Sequence, residues 1–147
     1  MKKVPVHKNF GQTLIELLMA LGAGVLIVMA IVGGVVMAGK NSQFAKNQNL
    51  ATRYAQGGVE LIRSQRDKLG WSAFYTNYND QPQCLDGTGN FTPMSISCAK
   101  IAILFTRAAT FVDDGTGLNL TVTVTVSCQD SSGTHQSNQT TVLTSWE

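Results

Sequence analysis

The stretch Phe10-Gly11-Gln12-Thr13-Leu14-Ile15-Glu16-Leu17-Leu18 opens a run that carries no charged or strongly polar residue from Leu17 to Gly39. Those 23 residues exceed the ~20 that a helix needs to cross the hydrocarbon core of a bilayer. Upstream, Lys2, Lys3 and Lys8 make a basic flank. A secretory signal peptide has such a flank, and Val36-Met37-Ala38 would serve as its small-residue cleavage site. Its apolar region, however, is normally ~7–15 residues, far shorter than this one. A plain single-pass anchor fits the length, and the three lysines would then hold the N-terminus in the cytoplasm. A plain anchor has no use for Glu16, because a carboxylate at mid-membrane costs ~2.5–3.5 kcal/mol on the insertion scale and somewhat less near the edge. An acid in that place calls for a partner.

The same nine residues closely resemble the leader and cleavage region of type IV prepilins. In that family a short basic leader ends in Gly, a dedicated membrane peptidase cuts behind it, and the fifth mature residue is Glu. Matched in this way, Gly11 is the last leader residue, Gln12 the new N-terminus and Glu16 the fifth residue. The family usually starts its mature chain with Phe or another apolar residue, where this chain has Gln. The resemblance implies that the prepilin peptidase also N-methylates Gln12, and that Glu16 meets the N-terminus of a neighbouring subunit in a filament.

The electrostatics of the cut can be argued without the family. Cutting frees an α-amine with a reference pKa of ~7.7–8.0, mostly ammonium at neutral pH. It also removes three lysines, so 11 Lys/Arg become 8 against 9 Asp/Glu, and the formal charge goes from +2 to −1. A helix start that carries both an ammonium and a carboxylate can pair with a copy of itself. Breaking one partner of such a buried pair typically costs ~3–5 kcal/mol. The competing reading is that Glu16 only reaches the interface as an acid near a helix N-terminus.

Inside the run, small residues recur at four-residue spacing: Ala20 and Gly24, then Ala30, Gly34 and Ala38. In lipid such spacing lets helices approach closely, although membrane helices also accept Gly and Ala in general. From Lys40 to Leu69 there is no proline, and Leu50, Ala51, Tyr54, Gly58, Leu61, Ile62 and Leu69 form one apolar stripe. Arg53, Glu60, Arg63, Arg66, Asp67 and Lys68 lie mostly off it and read as a solvated face. The pattern predicts one helix from about Thr13 to Lys68, ended by Gly70. Trp71, Phe74, Tyr75 and Tyr78 follow at i, i+3, i+4, i+7, which predicts a short helical turn packing aromatic rings.

Gln81-Pro82 and Asp86-Gly87-Thr88-Gly89-Asn90 are turn chemistry, bracketed by Cys84 and Cys98. Three cysteines allow three single bridges. Cys84–Cys98 is the expected one, because Cys128 falls on the apolar side of a strand, where a thiol is a small buried hydrophobe. It would close a loop of about 14 residues and contribute ~3 kcal/mol. That strand runs from Leu118 through Leu120, Val122, Val124 and Val126 to Cys128, in strict alternation with Asn119, Thr121, Thr123, Thr125 and Ser127. Ile101 to Val112 and His135 to Trp146 are expected as its antiparallel neighbours. Asp113-Asp114-Gly115-Thr116-Gly117 is a turn with the carboxylates for Ca²⁺ but without the alternating ligands of an EF-hand.

Charged residues are only 14%, and a net charge of +2 leaves no bulk basicity for nucleic acid. His7 would leave with the leader, so His135 is the sole remaining imidazole. No nucleophile elbow, Cys-x-x-Cys pair or phosphate loop occurs, so neither catalysis nor a cofactor or metal is expected.

The expected fold is α+β and pilin-like: one long N-terminal helix, half membrane and half amphipathic, packed on a C-terminal antiparallel sheet. Its divisions are a leader over 1–11, a membrane or filament-core helix over 12–39, an amphipathic continuation over 40–69, and loops with the sheet over 70–147. The expected role is a structural subunit of a type IV pilus, with a secretion pseudopilin or a non-polymerising anchored binding domain as alternatives. Its partners would be prepilin peptidase, copies of itself and other pilins, and the inner leaflet of the membrane through the leader. It would sit in the cytoplasmic membrane with the C-terminal domain outside, then in a surface filament.

Overall fold

The computed structural model describes residues 10–94, 97–130 and 133–145, with side chains from residue 13 onward. Lys2, Lys3, His7, Lys8 and Trp146 lie outside the described residues. The chain divides into two units, residues 1–43 and 44–147. Helix α1 (Phe10–Leu69, 60 residues) supplies the whole described part of the first unit and the opening of the second.

In the second unit α1 buries one stripe. Ala51, Ala55, Gly58, Val59 and Ile62 face inward, with Leu50, Tyr54 and Leu61 packed beside them. Compared with the stripe read from sequence, Ala55 and Val59 are gained and Leu69 is lost to solvent. The reason lies at Gly70, whose φ of 77° ends α1 and starts α2 (Trp71–Tyr78). Phe74, fully buried, then covers the core where another turn of α1 would have done so. The i, i+3, i+4, i+7 aromatics do pack as rings. Phe74 lies 5.0 Å from Tyr78 and 6.1 Å from Phe111, and Tyr78 stacks on Phe111 at 5.7 Å and meets Phe91 at 5.3 Å.

Five antiparallel strands form one sheet: β1 (Gln83–Leu85), β2 (Phe91–Pro93), β3 (Phe105–Asp113), β4 (Asn119–Asp130) and β5 (Gly133–Thr144), in the order β2-β1-β3-β4-β5. The fold is therefore α+β, with a long N-terminal helix whose later part packs on an antiparallel sheet. Strand β4 sits in the middle of the three long strands, and its alternation is complete: Leu120, Val122, Val124, Val126 and Cys128 are buried. Burying a Val, Leu or Phe side chain contributes roughly 1.5–3 kcal/mol, so this one strand provides much of what holds the helix down.

Three boundaries differ from the sequence reading. Leu118 stands before β4 and is exposed, because the turn ends at Gly117 (φ 70°) and the strand pairing begins only at Asn119. Ile101–Leu104 is not strand: Ile101 N–H donates to the Phe105 carbonyl and Lys100 pairs with Thr106, so the chain folds back before β3 can start. Strand β5 stops at Thr144. Strands β1 and β2 were not expected at all. At three residues each they are too short to show a period of two, and they exist through pairing with each other and with β3.

At Gly58 the helix comes close against the sheet. A Cβ there would stand 2.8 Å from Val124 Cγ1 and 2.9 Å from Arg107 Cδ. Arg107 lies on β3 and is only 5% exposed. Its Nη1 donates to the Tyr54 carbonyl at 3.1 Å and its Nη2 to the Asp86 carbonyl at 2.7 Å. Burial pushes its pKa below the usual value, and the Asp86 charge works against that shift. This guanidinium joins α1 to the β1–β2 turn.

Candidate functional site

The first unit carries the most distinctive surface. Sixteen large apolar side chains between Leu14 and Met37 are exposed by 46–73%. Soluble monomers rarely expose contiguous apolar patches beyond a few hundred Å², and here every side of the helix is apolar. Helix α1 is long and apolar enough to cross a membrane. The glycines at 22, 24, 33 and 34 have open space around them, and the missing side chain of Gly24 leaves a shallow apolar notch between Leu21, Val25, Val28 and Met29.

The residues expected to act lie at the start of this helix. Gly11 and Gln12 fall in its first turn, and Glu16 follows one turn later. Glu16 is exposed and makes no ion pair or hydrogen bond with the described residues. It is also the only charged residue in α1 before Lys40. A carboxylate set in an apolar surface, with its hydrogen-bonding capacity unused among the described residues, is chemically suited to a cation from a neighbouring copy.

In the second unit Cys84 and Cys98 form a disulfide with Cα atoms 5.2 Å apart, tying β1 to the segment after β2. Cys128 is free and buried. It faces His135 across the β4–β5 pairing, and His135 Nε2 lies 3.1 Å from Asp130 Oδ1. A cysteine, a histidine and an aspartate on one hairpin resemble a nucleophile with its base. The thiol makes no hydrogen bond to the imidazole, and its pKa is pushed up by burial and then by the Asp130 charge. A buried, protonated thiol is inert.

Two turns of nearly the same sequence use one device. In Asp86–Asn90, Asp86 Oδ1 accepts from the Thr88 N–H, the Thr88 hydroxyl and the Asn90 N–H, each at 2.8 Å, while Oδ2 accepts from Asn90 Nδ2 at 3.0 Å. In the next, Asp114 Oδ1 accepts from Thr116 and Oδ2 from Asn119 Nδ2 at 2.7 Å. The Asn90 N–H and the Thr88 hydroxyl lead in holding Asp86 down to about 2, and Asp114 is lowered for the same kind of reason, first by the Thr116 hydroxyl. The remaining acid of that turn, Asp113, accepts from Tyr75 at 2.9 Å, and this bond is the main cause that raises the Tyr75 pKa. Asp86 and Asp114 are occupied by the donors of their own loops, and Asp113 by Tyr75 of α2 and the Gly117 N–H. Among the described residues no group of three or more His, Cys, Asp or Glu side chains is placed to hold a metal.

The arginines near the end of α1 are balanced by acids: Arg63 meets Glu60 at 2.8 Å and Arg66 meets Asp67 at 2.8 Å. Sequence reasoning missed Arg107 and its Gly58 notch. The signal was present only as a charged residue inside an otherwise apolar alternation on β3. No family model, no curated protein and no solved structure matches this chain.

Proposed function

We propose that this chain is a structural subunit of a type IV pilus or a related filament. It is inserted by α1, cut between Gly11 and Gln12 by a prepilin peptidase, and N-methylated at Gln12. It then polymerises through α1, with Glu16 pairing to the terminal ammonium of a neighbour. One observation carries the reading: the stretch of α1 from Leu14 to Met37 is exposed and apolar all round, and its one acid, Glu16, stands five residues after Gly11, with Lys2, Lys3 and Lys8 preceding that glycine in the sequence. Lipid explains the apolar surface but not the acid, whereas a neighbouring helix start accounts for both. The pseudopilin of a secretion filament remains within the same class, since its subunit would need the same helix and the same acid.

A stand-alone anchored domain is the rival. Glu16→Leu separates the two, because it preserves the apolar surface and removes only the anion. The filament reading expects normal membrane insertion and lost or slowed assembly, scored by electron microscopy of sheared filaments. Unchanged assembly, or a chain that is not cut after Gly11 when co-expressed with a prepilin peptidase, would sink it. Intact mass would show the loss of residues 1–11, and methylation adds about 14 Da.

A further inference from the structure

We propose that the segment Lys100–Leu104, together with Phe44, is a second membrane-contact surface, resting on the bilayer that holds α1. Three observations meet here. Ile103 is 87% exposed, the largest exposure of any large apolar side chain in the described chain, and Leu104 and Phe44 are exposed by 42% and 45%. All three belong to one end of the sheet. Phe105 pairs with Cys128 and Cys128 with His135, and the Phe44 ring stands edge-on to His135 at 4.9 Å. At the same end Asn47 donates to Asp130, fixing the start of the second unit's helix against the β4–β5 hairpin. Leu104 also lines a groove of about 200 Å³ with Lys100, Gln129 and Thr134.

The occupant follows from the chain itself. Only Lys40 to Gln43 separate the last residue of the apolar run, Gly39, from Phe44. The five residue steps from Gly39 to Phe44 span at most about 18 Å even when fully extended, so a bilayer that takes up the run keeps Phe44, and the end of the sheet that Phe44 touches at His135, within reach of its headgroup layer. Apolar tips accompanied by Lys46 and Lys100 suit that layer. The side chains of Ile103 and Leu104 enter the acyl boundary, and the ammonium groups stay with the phosphates. The Cys84–Cys98 bridge, two residues before Lys100, anchors the segment that presents them. A surface of three apolar side chains is too small to anchor a protein alone. It orients a domain that is already tethered.

The proposal rests on α1 being in the membrane, not on polymerisation, and it is tested with the full, uncut chain in vesicles. Single cysteines at Ile103→Cys, Leu118→Cys and Met29→Cys carry an environment-sensitive fluorophore, with the unsubstituted chain as the blank for Cys128. Vesicles of phosphatidylethanolamine and phosphatidylglycerol contain two brominated lipids, one carrying bromine near the headgroup to report on 103 and 118 and one near the acyl end to report on 29. The expected result is a blue shift and loss of emission at 103, none at 118 on the opposite end of the sheet, and loss at 29. In a second form, Ile103→Glu with the label at Lys100→Cys should return the emission to that of the water-exposed site. Equal emission at 103 and 118 would overturn the proposal. So would a blue shift at 103 that bromine does not quench and that grows with protein concentration, because a second copy would then cover the surface. A label at 29 that is not quenched would overturn the membrane reading and this proposal with it. Failed assembly of Glu16→Leu with the 103 result intact would bear on the filament alone.

Discussion

Adjacent glycines at 57 and 58 should respond in opposite directions to the same methyl group. Both are helical, so Gly→Ala at either gains up to about 1 kcal/mol of intrinsic helix preference. At Gly57 the added Cβ meets only Arg107 Nη1 at 3.9 Å, an ordinary contact, and the gain should survive. At Gly58 it would stand 2.8 Å from Val124 Cγ1 and 2.9 Å from Arg107 Cδ. Carbon atoms prefer about 3.5–4.0 Å, so helix and sheet must part by roughly 0.7 Å. Neither neighbour can swing away: Val124 is fully buried in the central long strand, and Arg107 is held by two carbonyls. Overpacking of this kind costs about 1–3 kcal/mol, and weakening a hydrogen bond to a charged group adds about 1.5 kcal/mol. Set against the helix gain, Gly58→Ala should destabilise the second unit by about 1.5–3.5 kcal/mol and lower its Tm by on the order of 10 °C. Gly57→Ala should raise Tm slightly. The assay is thermal unfolding of the full chain in detergent, followed by near-ultraviolet circular dichroism of the packed aromatics. A Gly58→Ala chain as stable as its parent, or Gly57→Ala as the more damaging of the two, would refute the packing argument.

Reduction of Cys84–Cys98, or its replacement by two serines, should cost about 3 kcal/mol for a loop of this length, read as a lower denaturant midpoint, while Cys128 should resist alkylation until the chain unfolds. Acid should act through Asp86: its carboxyl is held down to about 2 in the fold against an ordinary value of 3.8, so the fold favours the ionised form. That contribution is complete above about pH 4 and disappears as pH falls through 2. Urea midpoints measured between pH 2 and 5 should therefore decline towards acid, and less steeply in Asp86→Asn; identical slopes would remove Asp86 from the account, leaving Asp114 to explain the decline.

The parts legible in the sequence were those with a long period. The 23-residue run, the amphipathic stripe after Lys40, the aromatic turn at Trp71 and the alternation through Val122, Val124 and Val126 each repeat often enough to declare themselves. Strands β1 and β2 repeat too little. Their positions depend on what β3 offers as a pairing edge, which is tertiary information. Arg107 was illegible for a related reason. A charged residue on the buried face of a strand makes sense only once the Tyr54 and Asp86 carbonyls are seen to converge on it and Gly58 to make room for it. The stripe on α1 was read in place, but Leu69 was included and Ala55 and Val59 were left out; nothing in the pattern says that α2 takes over the core before Leu69 can reach it.

The same helix meets two different demands, and the boundary between them is where the chain divides. After Phe44 it must bury one stripe and leave the rest wet, so Ala51, Ala55, Gly58, Val59 and Ile62 face the sheet while Arg53, Glu60 and Arg63 face water. Before Gln43 it has no stripe, which is what a lipid surrounding, equally apolar from every side, would ask of it. In such a surroundings apolar contacts scarcely distinguish one neighbour or one register from another. A single carboxylate can, since an unpaired charge there is costly and a paired one is not. On the proposed reading the uncut chain has no cation at residue 12 for Glu16 of another copy to pair with, as residue 12 is then an amide. The cut supplies the ammonium and removes the leader lysines in one event. Selectivity in assembly would then come from electrostatics that appear only after processing, while cohesion comes from an apolar surface present throughout.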